Sequence, residues 1–165
     1  MALLGWAVGK GSTPIDDWFQ RANGSVLGWL LFFTDQRTVA VLLLGALVVA
    51  LYRQRWLLAV LVVATPAVGV WLSRLFKDWF GREKGEAVAY PSGHTTLMVV
   101  VLGMVILVLG ARLYIVAAAA VWTLLGMLGQ AVTYHYFTDA IGGLMLGSAL
   151  VCTAAATLQD RLLTP

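Results

Sequence analysis

The chain has 165 residues, of which 61% are hydrophobic and only 12% charged, with a formal net charge of +3 and a mean hydropathy of +0.87. A single domain of this length has too little interior to hide so much apolar surface from water, and soluble domains are about a quarter charged. These figures exclude a disordered chain, a nucleic-acid binder and an ordinary soluble enzyme; they make lipid the solvent.

In chain order, Met1–Val8 is too short to cross a bilayer and lacks the basic start of a signal peptide. Thr13-Pro14 reads as an N-cap with proline at the first helical position, and Asp16 and Asp17 fall in the first turn. Ile15, Trp18, Phe19 and Ala22 then share one face, and Asn23-Gly24 closes the segment. The pattern predicts an amphipathic helix, lying in the membrane interface or against the bundle's rim. Val26–Phe33 is apolar but too short to span alone.

Five longer apolar stretches follow, about Thr38–Tyr52, Trp56–Phe76, Thr95–Gly110, Leu113–Tyr134 and Ala140–Leu158. Each approaches the roughly 20 residues that a helical span needs. All five tyrosines, with Trp56 and Trp79, fall at or just beyond span ends, as an aromatic belt requires. Arg53-Gln54-Arg55 and Ala111-Arg112 are short connections, so the spans they join are antiparallel. Gly143 and Gly147 form a G-x-x-x-G pair whose simplest reading is close helix packing. The fold class expected is all-α: one polytopic transmembrane helix bundle over residues 1–165, with about five spans and an N-terminal amphipathic interfacial helix. The single cysteine, Cys152, has no partner for a disulfide or a thiolate metal site.

Polar residues are few enough to weigh one by one. Two segments stand out: Lys77–Glu86 closing with Tyr90-Pro91-Ser92-Gly93-His94-Thr95, and Tyr134–Asp139. They hold the chain's two histidines. His94 opens the third span and His135 follows the fourth, so both lie on one membrane face, beside Lys77–Lys84. The chemistry such a set supports is phosphoryl transfer. His135 and Asp139, four apart, share a helical face, and a carboxylate on one imidazole nitrogen leaves the other as nucleophile. Pro91-Ser92-Gly93-His94 starts a helix, where a serine hydroxyl and free N–H groups hold phosphate oxygens and His94 can protonate a leaving oxygen. Lys77, Arg82 and Lys84 supply positive charge. The histidines and Asp139 do not read as a metal cage, because Asp139 is better placed to orient His135.

Between Lys77 and Asp139 the chain resembles the type 2 phosphatidic acid phosphatase, or lipid phosphate phosphatase, superfamily. Pro91–His94 matches its Pro-Ser-Gly-His motif, and His135 with Asp139 matches its His-x-x-x-Asp. Lys77, Arg82 and Lys84 follow its first motif, with Lys84-Gly85 where Arg-Pro is usual. The resemblance implies that His135 attacks phosphorus to form a phosphohistidine, that Asp139 orients it and that His94 protonates the leaving group. It implies that Lys77, Lys84, Ser92 and Gly93 bind phosphate, with Arg82 alongside. No metal or other cofactor is implied. The partners implied are the bilayer and a lipid-phosphate substrate, with no nucleic acid. The location implied is a bacterial-type inner or plasma membrane, with the site facing outward. The third motif usually carries Ser-Arg seven and six residues before its histidine; here those positions are Leu128 and Gly129.

Charge does not orient the chain. Arg53, Arg55, Arg112 and Arg161 lie opposite the site; Lys10, Arg21, Arg37, Arg74, Lys77, Arg82 and Lys84 lie on its side. The activity expected is hydrolysis of a lipid phosphate, with a polyprenyl-linked phosphate or diphosphate favoured over phosphatidate or phosphatidylglycerol phosphate. Gly129 motivates a second reading, a phosphotransferase that passes a phosphoryl headgroup to an alcohol. A third is an inactive scaffold or transporter of the same fold.

Overall fold

The computed structural model describes residues 1–163, with side chains through Asp160; the Arg161 side chain lies outside the described residues. The architecture is all-α. Helices α1 (Ala2–Val8) and α2 (Pro14–Gln20) lead into a 3-10 helix (Val26–Thr34). The bundle helices are α3 (Gln36–Tyr52), α4 (Trp56–Phe80), α5 (Gly93–Leu109), α6 (Leu113–Val132) and α7 (Phe137–Leu163). A two-stranded hairpin, β1 (Glu83–Lys84) with β2 (Ala87–Val88), interrupts the α4–α5 connection.

Among the described residues, four stretches are long and apolar enough to cross a membrane: Val26–Tyr52, Trp56–Phe80, Leu113–Val132 and Phe137–Asp160. The fifth, α5, has 17 residues, about 25 Å of helix, and is the central element, packed against α3, α4, α6 and α7. Met98, Val100, Val101 and Met104 of α5 are wholly buried. Val41, Leu44, Val48, Val60, Val63 and Trp71 on α3 and α4 are exposed. A bundle with an apolar outside is a membrane protein.

Glycines bring α7 onto α5. A Cβ at Gly143 would lie 2.6 Å from the Ser92 carbonyl oxygen, and one at Gly147 2.8 Å from Val99. The G-x-x-x-G pair is close helix packing, as its spacing predicts. In turn α5 returns the favour at Gly103, where no Cβ fits beside Val151. This contact sets the level of the α7 N-terminus against that of α5, and the Ser92 N–H donates to the Asp139 carbonyl at 3.0 Å.

Val26–Thr34 is the largest departure from the sequence reading. It does not stand apart as a short orphan. It lies along the last turns of α6 and leads directly into α3, with Asp35 between them accepting from the N–H groups of Arg37 and Thr38 at 2.9 and 3.2 Å. The Trp122 indole donates to the Phe33 carbonyl at 2.8 Å. Helix α2 packs on α6 and α7, with Phe19 stacked on Phe137 at 4.2 Å between ring centroids, while Trp18 remains exposed. Thr13 caps it as the sequence predicts, and Asp16 returns the bond to complete a capping box.

Candidate functional site

The site lies at the end of the bundle where α4 and α6 finish and α3, α5 and α7 begin. Ser92 caps α5, its Oγ accepting from the Thr95 N–H at 3.3 Å, so His94 falls in the first turn. The α6–α7 turn carries His135, whose N–H donates to the Gln130 carbonyl at 2.9 Å. The imidazole rings of His94 and His135 approach to 6.2 Å between centroids, at 58° to each other. His94 is exposed and His135 is 7% exposed.

Two clefts flank His94. One, of about 210 Å³, is lined by Ser73, Arg74, Lys77, Gly93, His94 and His135 among others. The other, of about 330 Å³, is lined by Asp35, Gln36, Arg37, His94 and Gln130 among others. Lys77, Gly93 and both histidines therefore meet at one cleft.

Asp139 is wholly buried, and its partner is not mainly His135. Oδ1 accepts from the Arg82 guanidinium at 2.7 Å and Oδ2 from the Tyr136 N–H at 2.9 Å. His135 Nδ1 stands 3.8 Å from Oδ2, beyond hydrogen-bond range. It is buried with no hydrogen-bond partner among the described residues. The pairing that four-residue spacing predicts is thus a near approach. The carboxylate faces Nδ1 and is itself held by two donors.

Arg82, expected to bind phosphate, does something else. Its five N–H donors make five bonds: to Gly11 O at 3.1 and 2.8 Å, Asp16 Oδ2 at 2.7 Å, Thr138 Oγ1 at 2.6 Å and Asp139 Oδ1 at 2.7 Å. The side chain is 0% exposed, so it has no donor left for a ligand. Asp16 completes the cluster, accepting also from the N–H of Thr138 at 2.9 Å. Burial alone would raise the Asp16 pKa, but bonds from Thr138, Thr13 and Arg82 hold it below 3.8. This network ties α2, the α4–α5 loop and α7 together.

Lys84 and Ser92 are likewise positioning groups. Lys84 Nζ donates to the carbonyls of Thr133 and His135 at 2.9 and 3.0 Å, and lies 5.2 Å from the Tyr136 ring centroid. Burial pushes its ammonium pKa down, against the opposing pull of Asp139 and Asp16. Gln20 of α2 donates to the same His135 carbonyl at 3.2 Å. Ser92 is 0% exposed, its hydroxyl facing Thr95. Of the residues expected to hold phosphate, Lys77 and Gly93 line the cleft; Arg82, Lys84 and Ser92 build the frame that holds the histidines.

Gly129, where an arginine is usual in the resembled family, has a packing cause. A Cβ there would lie 2.6 to 2.8 Å from backbone atoms of Leu30 and Leu31. The 3-10 helix closes that position to any side chain. Arg74, Gln36 and Asp16 were not singled out as site residues from sequence. Arg74 carried a usable signal, three residues before Lys77 on one helix face. Asp16 carried none, since its pairing with Arg82 spans 66 residues.

Comparison with models of known protein families, with curated proteins and with solved structures finds nothing that matches this chain.

Proposed function

We propose that this chain is a lipid phosphate phosphatase of the type that its Lys77–Asp139 motifs resemble. The observation that carries the reading is the convergence of His94 and His135, the chain's two histidines, at 6.2 Å over a cleft lined by Lys77. In the proposed reaction the nitrogen of His135 turned away from Asp139 attacks phosphorus. The P–O bond to the lipid breaks, and His94 gives its proton to the leaving oxygen. His94, now neutral, takes a proton from water, whose oxygen attacks the phosphohistidine and releases inorganic phosphate. Lys77 offsets charge on the transferring group. Asp139 steadies the His135 cation electrostatically across the 3.8 Å gap.

The position of the cleft supports a lipid-linked substrate. It opens at the end of an apolar bundle, so a headgroup reaches the histidines while its tail stays among lipid. A polyprenyl-linked phosphate or diphosphate is the favoured substrate, ahead of phosphatidate or phosphatidylglycerol phosphate. The proposed location is a bacterial-type inner membrane, with the site on its outer face. Inorganic phosphate release from these lipids by the detergent-purified protein, with His135→Ala in parallel, tests the reading. Transfer to an added alcohol in place of phosphate release would favour the phosphotransferase instead.

A further inference from the structure

We infer that Arg74 is the phosphate-binding arginine of this site. The inference rests on the phosphatase reading for its chemistry. A transferring phosphoryl group carries oxygens that a planar guanidinium grips two at a time, which an ammonium does not match. The expected sources of that fork are closed. Gly129 is sealed by the backbone of Leu30 and Leu31, and the five donors of Arg82 are all engaged inside the protein. Lys84 is turned to two carbonyls.

Arg74 lines the cleft that holds both histidines and Lys77. It is exposed, and its side chain has no hydrogen bond or ion pair among the described residues. It stands three residues before Lys77 on α4, so the two cations lie on one face. Arg37 is the rival, but it lines the other cleft beside the Asp35 carboxylate, which offsets its charge. Arg74 and Lys77 share their cleft with no acidic side chain. A plainer role for an arginine near a span end is to reach the headgroup layer. That role needs only a positive charge and is met equally by lysine.

The test is equilibrium binding of inorganic phosphate and of orthovanadate to the detergent-purified full chain. Arg74→Ala and Arg74→Lys are compared with wild type and with Arg112→Ala, at the far end of the bundle. The expected result is a loss of about 10- to 100-fold in affinity in Arg74→Ala, a clear loss in Arg74→Lys, and no change in Arg112→Ala, with all four melting alike. Wild-type affinity in Arg74→Ala, or in Arg74→Lys, overturns the proposal, as does absence of binding by wild type. The readout is separate from turnover. Arg74-dependent binding without hydrolysis of any lipid phosphate would sink the phosphatase reading alone; His135-dependent hydrolysis with Arg74-independent binding would sink this inference alone.

Discussion

Arg82 and Asp139 form an ion pair at 2.7 Å with both side chains at 0% exposure. Asp16 closes on the same guanidinium, also at 2.7 Å and wholly buried. Two carboxylates on one arginine leave the cluster short of positive charge, and hydrogen bonds from Thr138, Thr13 and the Tyr136 N–H supply the rest. Removing one partner of such a cluster costs far more than the cluster contributes, because the others stay buried and unpaired.

Arg82→Ala is therefore expected to lower stability by about 3–5 kcal/mol. Arg82→Lys should recover little, since an ammonium offers three donors where five are used. Thermal unfolding in detergent measures both. If Arg82→Ala melts like wild type and only weakens phosphate binding, Arg82 is a ligand and not a frame.

Acid should weaken the same cluster. The Asp16 carboxyl titrates below 3.8 in the fold. A lowered carboxyl contributes its full stability above the unfolded value and loses it as pH falls through the folded one. The stability gap between wild type and Asp16→Asn is expected to be constant near neutrality and to shrink below pH 3.8. Unfolding midpoints taken across that range give the answer. A gap that stays constant to the lowest pH would show that Asp16 gains nothing from ionisation.

Gly129 is predicted to resist substitution for packing reasons. Gly129→Ala should cost about 1–3 kcal/mol through overpacking against Leu30 and Leu31. Gly129→Arg should fail to yield folded protein. A folded Gly129→Arg with raised phosphatase activity would mean that the 3-10 helix yields, and that the family's usual arginine is usable here after all.

Lys84 separates positioning from binding. If it acts by holding the His135 carbonyl, Lys84→Met should lower kcat about tenfold, the effect of a slightly misplaced nucleophile, and leave phosphate affinity nearly unchanged. Steady-state kinetics together with phosphate titration distinguish the two. A rise in KM with kcat intact would return Lys84 to the phosphate.

The bundle was largely legible in the amino-acid sequence. Hydrophobic runs bounded by arginines, glycines and aromatics place α4 to α7 within a few residues: Trp56–Phe76 is the core of Trp56–Phe80, and Leu113–Tyr134 overlaps Leu113–Val132. The expectation that His94 and His135 meet rests on α5 and α6 running out and back between them, and the two rings do lie together at one end of the bundle. The roles of the cations were not legible. Arg82 and Lys84 have the spacing of ligands, and spacing says nothing of a partner such as Asp16 that arrives from another helix. Val26–Thr34 was equally opaque: its packing on α6 depends on small residues there, Gly126 and Gly129, that have meaning only once the two helices are paired.

The central claim is that His135 is the nucleophile of a lipid phosphate phosphatase. It is tested most directly by phosphate release from a panel of polyprenyl and glycerolipid phosphates, by detergent-purified wild type and His135→Ala. The expected result is release by wild type from at least one lipid, and none by the variant. Equal release by His135→Ala, or no release from any lipid by the folded wild-type protein, would contradict it.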